Sequence, residues 1–323
     1  MKIVVTGGAG YIGSMLVEKL AENKSNEIAV FDNFYWGMKK PPYKGMGARN
    51  VEWFNEDVTE WSDNLISHIF SADVIFPLAA YVGAPLCSNI DKWPKWTGPT
   101  VEKLNRDWFL ELISHLHRQL VIYPNTNSGY GSVPDGVCTE DTPSNPLSLY
   151  GKTKQDAEEI LLKHHYNSIV FRLATVFGWS HRPRIDLLVN SLTYEGLRDQ
   201  EVKIFQGGFN RNYIHVKDIY KAFIFAIENS GKMAGNVYNL GNDSINMTKL
   251  ELGRVIANSL GVPLVETQGS DEDKRDYMVS SQKLYGLGYN PEVSLLDGIN
   301  EMSSHLNYHL EHNPSWIEEQ KNY

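Results

Sequence analysis

The most constraining feature of the chain stands at its start. A β-branched run, Lys2-Ile3-Val4-Val5-Thr6, meets Gly7, Gly10 and Gly13 just as a helical pattern opens. Ile12, Leu16 and Leu20 then recur on one helical face, so strand, glycine turn and helix follow without a linker. A strand that leads straight into such a helix is the opening unit of a parallel sheet, because parallel neighbours need a crossover between them. The alternation continues: 27–31, 51–54, 73–78, 120–123 and 169–173 read as strands, while 101–116 and 148–165 have helical spacing. Beyond about residue 178 it fades into mixed elements, with helices expected at 186–197, 216–229 and 249–260 and strands at 202–205 and 237–240. The tail 311–323 is polar and is expected to be partly loose. With 323 residues, 42% of them hydrophobic, and no repeat or low-complexity tract, a second domain woven into the first fits better than one on a linker. The expected fold class is α/β, a doubly wound parallel sheet with a smaller interwoven α/β domain.

Glycines at a strand-to-helix turn let backbone approach a pyrophosphate, and the helix N-terminus offers unpaired N–H groups and a favourable dipole. That assigns Gly7, Gly10, Tyr11, Ile12 and Gly13 to a dinucleotide, with the spacing Gly-x-x-Gly-x-x-Gly. Asp32, followed by Asn33, ends the second strand, where a carboxylate accepts from a ribose 2'-OH and repels a 2'-phosphate. NAD is therefore expected rather than NADP. Asp57-Val58 follows the third strand, and Asp57 fits an adenine contact and an ordinary cap equally; Leu78-Ala79-Ala80 brings small residues beside the cofactor.

Tyr150 and Lys154 are four residues apart on an expected helix and so share a face. A phenol is a poor base at neutral pH, and an adjacent ammonium favours its phenolate. Just upstream, Thr126-Asn127-Ser128-Gly129-Tyr130-Gly131 places hydroxyls at a strand end, where they can hold a substrate alcohol.

From Thr6-Gly7-Gly8-Ala9-Gly10-Tyr11-Ile12-Gly13 through Asp32-Asn33, Tyr150-Gly151-Lys152-Thr153-Lys154 and Phe171-Arg172-Leu173 to the segment from Arg211-Asn212-Tyr213 to Asp218, the chain resembles the extended short-chain dehydrogenases/reductases. Within them it is most similar to the nucleotide-sugar epimerases and dehydratases. The resemblance implies a Rossmann domain over 1–177, with roughly 212–236 returning to it, and a nucleotide-sugar-binding domain from 178–211 and 237–323. It implies Tyr150 as acid/base on a sugar hydroxyl and Lys154 as a further contact to the nicotinamide ribose. The Ser/Thr that orients the substrate falls on Thr126, with Ser128 a second candidate and Asn127 between them. Arg211 and Arg275 fall where the family holds the diphosphate, bidentate recognition that suits guanidinium groups. Asn190 is a further expected phosphate or sugar contact.

The same resemblance shapes the expected reaction. In the 4,6-dehydratases an Asp-Glu pair follows the threonine and drives elimination; here those positions are Asn127 and Ser128, so elimination is disfavoured. The leading expectation is a nucleotide-sugar 4-epimerase working through a transient 4-keto sugar. A C4 dehydrogenase that releases the keto sugar is the alternative, and a catalytically silent NAD-sensing protein a distant one. Ala174-Thr175 stands where many epimerases carry an asparagine that contacts the substrate. His181 fits a sugar contact or a surface residue, and Cys87 a nicotinamide neighbour or a small buried thiol. A homodimer through helices 101–116 and 148–165 is implied.

Charge and cysteine content bound the rest. A net charge of −9 argues against a broad basic face for nucleic acid or membrane, while a few arginines can still collect a small anion. Cys87 and Cys138 make no disulfide framework, and His115/His117 and His164/His165 lack metal-site spacing, so no metal is expected. The chain enters its first strand directly and carries no apolar run of membrane-spanning length, which gives a cytoplasmic expectation.

Overall fold

Strands buried on both faces read as continuous apolar runs, and the opening run behaves that way: Ile3, Val4 and Val5 are buried, as are Ile28, Val30 and Phe31 on the next strand. A computed structural model describes residues 1–35, 47–90, 97–269, 275–318 and 320. Its central sheet has seven strands in the spatial order Asn236–Leu240, Ser168–Leu173, Leu120–Thr126, Val74–Pro77, Lys2–Thr6, Glu27–Asp32, Val51–Asn55. Lys2–Thr6 is an interior strand and pairs in parallel with both Glu27–Asp32 and Val74–Pro77. The α/β class and the doubly wound parallel Rossmann architecture are thus present. Because the strand order reverses on either side of Lys2–Thr6, the turn after it lies at the switch point where such sheets bind ligands.

The chain divides into two compact units. The first comprises 1–129, 146–172 and 220–238; the second comprises 130–145, 173–219 and 239–323. The core of the first gathers Phe31, Leu65, Ile69, Trp108, Phe109, Leu112, Tyr123, Leu161 and Val170. Helix Asp63–Ser71 is capped by Ser62, whose hydroxyl accepts from the Leu65 N–H at 3.0 Å, and Leu149–His164 is capped in the same way by Ser148. The expected helix over 101–116 is interrupted by a π turn at Lys103–Asp107 before continuing as Trp108–His115.

In the second unit, helices Leu188–Asp199, Lys249–Leu260 and Leu295–His312 surround a core containing Val189, Leu192, Val202, Ile204, Ile256 and Ile299. Short strand pairs complete it. Tyr213–His215 runs parallel to Thr175–Phe177, and Asp276–Val279 runs parallel to Ser132–Cys138. That last pairing accounts for the membership of 130–145 in this unit.

Helix Leu295–His312 has no counterpart in the sequence reading, although Leu295, Ile299, Met302 and Leu306 are its buried face and Ser294 caps it. Gly298, two serines and three histidines weaken its local preference, so packing decides it. The tail expected to be loose contains the end of this helix and a further helix at Pro314–Glu318. Glu301 on the long helix is pulled down to about 2: burial acts to raise its pKa, but hydrogen bonds from His215 and Lys217 outweigh it. Lys217 Nζ donates to it at 2.5 Å.

Gly298 tests whether packing dominates here. A Cβ at this position would sit 2.4 Å from the Phe177 ring and 2.9 Å from the His215 ring, both buried. Helix propensity alone favours Gly298→Ala by about 1 kcal/mol, whereas overpacking costs roughly 1–3 kcal/mol. The expected result is a lower midpoint in thermal unfolding; a higher one would show that the neighbours yield.

Candidate functional site

The glycine turn is built by contact. Gly7 has φ +69°, and a Cβ there would lie 2.6 Å from the Ala79 nitrogen and 2.8 Å from the Leu78 carbonyl carbon. Leu78 N–H and Ala79 N–H donate to the carbonyl and hydroxyl of Thr6 at 3.1 and 3.2 Å. Gly13, in the first turn of helix Tyr11–Glu22, would place a Cβ 2.4 Å from the Gly7 carbonyl oxygen. Gly10 is the N-cap and has no side chain to cap the helix, so the positive end of the helix is presented at the turn. Tyr11 is buried and Ile12 half-buried.

Asp32 ties this turn to the end of the second strand. One carboxylate oxygen accepts from the Ala9 N–H at 3.0 Å and the other from the Phe34 N–H at 2.9 Å. An acid fixed beside a glycine cradle that any Cβ would fill fits a dinucleotide with a free ribose 2'-OH. Asn33 donates to Asp57 at 3.2 Å. Asp57 accepts from both the N–H and the hydroxyl of Thr59, at 2.9 and 2.7 Å, and so makes the cap among its two readings. Val58 is buried, and its carbonyl accepts from the Trp108 indole at 2.9 Å. Leu78, Ala79 and Ala80 are half-buried.

Tyr150 and Lys154 lie one turn apart on Leu149–His164 and are both buried. Lys154 Nζ sits 4.2 Å from the centroid of the Tyr123 ring, a cation–π geometry. Burial lowers the Lys154 pKa to about 7, against a smaller opposing effect of Cys87. Tyr123 in turn donates to the Lys154 carbonyl at 3.2 Å, and its phenol is pushed well above 10, first by burial and then by Tyr150 and Glu158.

Thr126 and Ser128 form one hydrogen-bonded pair. The Thr126 hydroxyl donates to Ser128 Oγ at 2.9 Å and accepts from the Ser128 N–H at 3.1 Å. Asn127 between them is buried, and neither atom of its amide has a hydrogen-bond partner among the described residues. An unpaired buried amide of this kind costs about 1–3 kcal/mol.

In the second unit, Arg211 is buried, and its Nη1 donates to the Asn210 carbonyl at 2.9 Å and to the Arg275 carbonyl. The two expected phosphate arginines are therefore neighbours. The Asn190 amide accepts from the Gly178 N–H at 3.0 Å and donates to the Arg184 carbonyl at 2.9 Å, which ties down the loop between them. His181 is half-buried, Arg184 pairs with Asp186, and Thr175 lies opposite Tyr213 in its strand pair. Cys87 is buried with Sγ 3.5 Å from the Tyr81 carbonyl. No group of three His, Cys, Asp or Glu side chains that could hold a metal occurs among the described residues. None of their helices is long and apolar enough to cross a membrane.

Three supporting residues have no role assigned from the sequence, although Arg172 stands in one of its motifs. Asn105, in the π turn, accepts from the Tyr81 N–H and donates to the Tyr81 carbonyl, both at 2.9 Å, and reaches Thr153 at 3.5 Å. It links the loop after Val74–Pro77 to the Tyr150 helix. Glu158 and Arg172 form a buried ion pair at 2.6 Å. A lone polar residue on an apolar helical face was the available signal for Asn105, and the i, i+4, i+8 series from Tyr150 was the one for Glu158.

A model of the NAD dependent epimerase/dehydratase family matches residues 3–241. UDP-glucuronic acid decarboxylase 3 of Arabidopsis thaliana is 28% identical over 319 residues, covering 93% of this chain and 87% of its own. A structure of UDP-glucuronic acid 4-epimerase from Bacillus cereus, in complex with UDP-glucuronic acid and NAD, is 26% identical with a TM-score of 0.79 and covers 95% of this chain and 99% of that one. UDP-glucose 4-epimerase from Thermotoga maritima, solved with UDP-glucose, is also 26% identical with a TM-score of 0.79, covering 96% and 100%.

The buried lysine has a measurable consequence for the cofactor-free protein. Its proton is held more weakly in the folded state, near 7, than in the unfolded state, near 10.5, so unfolding takes up a proton between those values. Stability contributed by this group therefore rises as pH increases from 7 to 10.5. Lys154→Met should remove that slope and stabilise the cofactor-free protein at pH 7 by a few kcal/mol, at about 1.4 kcal/mol per pKa unit. Urea unfolding of both proteins across this range checks it; parallel pH profiles would refute it.

Proposed function

The chain belongs to the NAD dependent epimerase/dehydratase family, and from that premise we propose that it is an NAD-dependent nucleotide-sugar 4-epimerase acting through a transient 4-keto sugar. The observation that carries this reading is the composition of the turn after Leu120–Thr126. Thr126 and Ser128 present two coupled hydroxyls, while Asn127 and Ser128 stand where elimination would need carboxylates. A 4-keto intermediate formed here has no carboxylate pair at this turn to lose water across C5 and C6, which disfavours elimination and supports return of the hydride.

Tyr150 takes the proton of the C4 hydroxyl, and the Thr126–Ser128 pair orients that hydroxyl toward it. Lys154, one turn further along, holds a proton near neutrality. A phenolate on Tyr150 favours the ammonium on Lys154, and the ammonium favours the phenolate. NAD, when bound, supplies a reversible hydride acceptor. Gly7, Gly10 and Gly13 admit its pyrophosphate, and Asp32 takes the ribose hydroxyls. The first unit is thus the cofactor domain and the second the nucleotide-sugar domain, where Arg211 and Arg275 bind the diphosphate. A homodimer forms through helix Trp108–His115, on which Leu110 is 56% exposed, together with Leu149–His164.

A second reading is favoured by one comparison: the Arabidopsis relative is named a UDP-glucuronic acid decarboxylase. Both readings share C4 oxidation and differ in what the keto sugar does next.

Incubation with a panel of UDP-, GDP-, CDP- and dTDP-sugars, UDP-glucose and UDP-glucuronic acid included, separates them when products are followed by NMR and cofactor redox state by absorbance. The expected outcome is the C4 epimer with no net NADH. A pentose with carbon dioxide would establish decarboxylation, and stoichiometric NADH with a free keto sugar would establish dehydrogenation. Tyr150→Phe should lower kcat by about 100-fold or more, the range of general acid–base contributions. Leu110→Glu should shift the light-scattering mass from dimer to monomer; an unchanged mass would remove the interface.

A further inference from the structure

Glu158 lies one turn beyond Lys154 and two beyond Tyr150 on the same helix, and it is 2% exposed. Its carboxylate accepts from Arg172 at 2.6 and 3.2 Å and from the Asn125 amide at 2.5 Å. The other end of that amide accepts the Thr126 N–H at 2.8 Å. A continuous chain of hydrogen bonds therefore runs from the buried ion pair through one asparagine to the backbone of the residue that carries the first hydroxyl of the site. We infer that Asn125, anchored by Glu158, is a positioning residue for the Thr126–Ser128 hydroxyl pair. The inference rests on the role proposed above for Thr126.

The side-chain chemistry requires an amide. Position 125 must donate to a carboxylate and accept from an N–H at the same time, and among short side chains an amide has a donor and an acceptor far enough apart to do both. The bond to Asn125 also occupies the Thr126 N–H, which consequently does not extend the sheet ladder. The strand ends there, and the chain enters the 3-10 turn Asn127–Tyr130 that carries Ser128. Since Glu158 projects from the helix that bears Tyr150 and Lys154, this buried junction helps hold the hydroxyl pair and the phenol to one another, alongside the Tyr123 bond to the Lys154 carbonyl. A buried ion pair adds little to stability compared with apolar packing of the same volume, but removing one partner is costly. Its value here is the fixed direction it gives to Asn125.

The test uses the NAD-loaded protein. In Asn125→Ala the Thr126 amide should exchange with deuterium about tenfold faster or more, as a released hydrogen bond allows, while Lys2–Thr6 stays protected. With the nucleotide sugar accepted in the panel, kcat should fall about tenfold or more with KM nearly unchanged, the pattern of a misplaced group. In the double variant Asn125→Ala/Thr126→Ala the loss should not exceed that of Thr126→Ala alone. Unchanged Thr126 exchange, or losses that add in the double variant, would overturn the inference. Full activity in Thr126→Ala would instead overturn the role of Thr126, and the exchange experiment still judges Asn125.

If Asn125→Ala fails to fold, Asn125→Asp serves. It keeps the acceptor for the Thr126 N–H but sets a carboxylate against Glu158, so the two share a proton with a raised pKa. Relative to the parent protein, its kcat should decline as pH rises through that value; a parallel profile counts against the inference.

Discussion

The approach of Gly7 to the Leu78–Ala79 turn fixes much of what surrounds it. No side chain fits between them, and Gly13 closes equally tightly on Gly7 from the helix side. Three elements, Lys2–Thr6, Tyr11–Glu22 and the loop after Val74–Pro77, are consequently brought to backbone contact at one point. Helix dipole, Asp32 and the small residues of Leu78–Ala80 can converge on one bound group because nothing larger than hydrogen separates the chains. Asp32 reinforces the arrangement from outside by accepting the Ala9 N–H, a service to the loop beside the ribose contact proposed for it.

Lys154 illustrates the opposite kind of constraint. Its ammonium lies over the face of Tyr123, and burial loosens its hold on the proton. Stability favours a neutral or apolar side chain at this position, while the proton exchange proposed for it with the Tyr150 phenol favours this one. That conflict between stability and activity is a common mark of a reacting centre.

Much of this was legible in the sequence, for identifiable reasons. Strands of the central sheet show up as unbroken apolar runs because they are covered on both faces, and the glycine spacing records a steric demand that other residues cannot meet. Tyr150 and Lys154 are legible because helical spacing alone puts them on one face. The hydrogen bonds of Asn190 with Gly178 and Arg184 come from its environment and not from its type, so no sequence pattern shows them. Helix Leu295–His312 was hidden by its glycine, serines and histidines, whose low propensity is overridden by burial of Met302 and Leu306. The π turn at Lys103–Asp107 and the Asn125–Glu158 bond depend on tertiary partners, and no local pattern announces them.

The interleaving of the two units along the chain bears on how the protein is made. The first unit requires residues 220–238, and the second joins 130–145 to a segment that begins at 239. A ribosome that has delivered the whole Tyr150 helix has therefore completed neither body. The partial chain holds exposed sheet edges until more than two-thirds of the sequence has emerged, and strand Ser132–Cys138 waits longer still for Asp276–Val279. Such non-local pairing slows folding and prolongs the exposure of unpaired strands. A chain of this design leaves strands unpaired during synthesis for longer than one whose domains are completed in order.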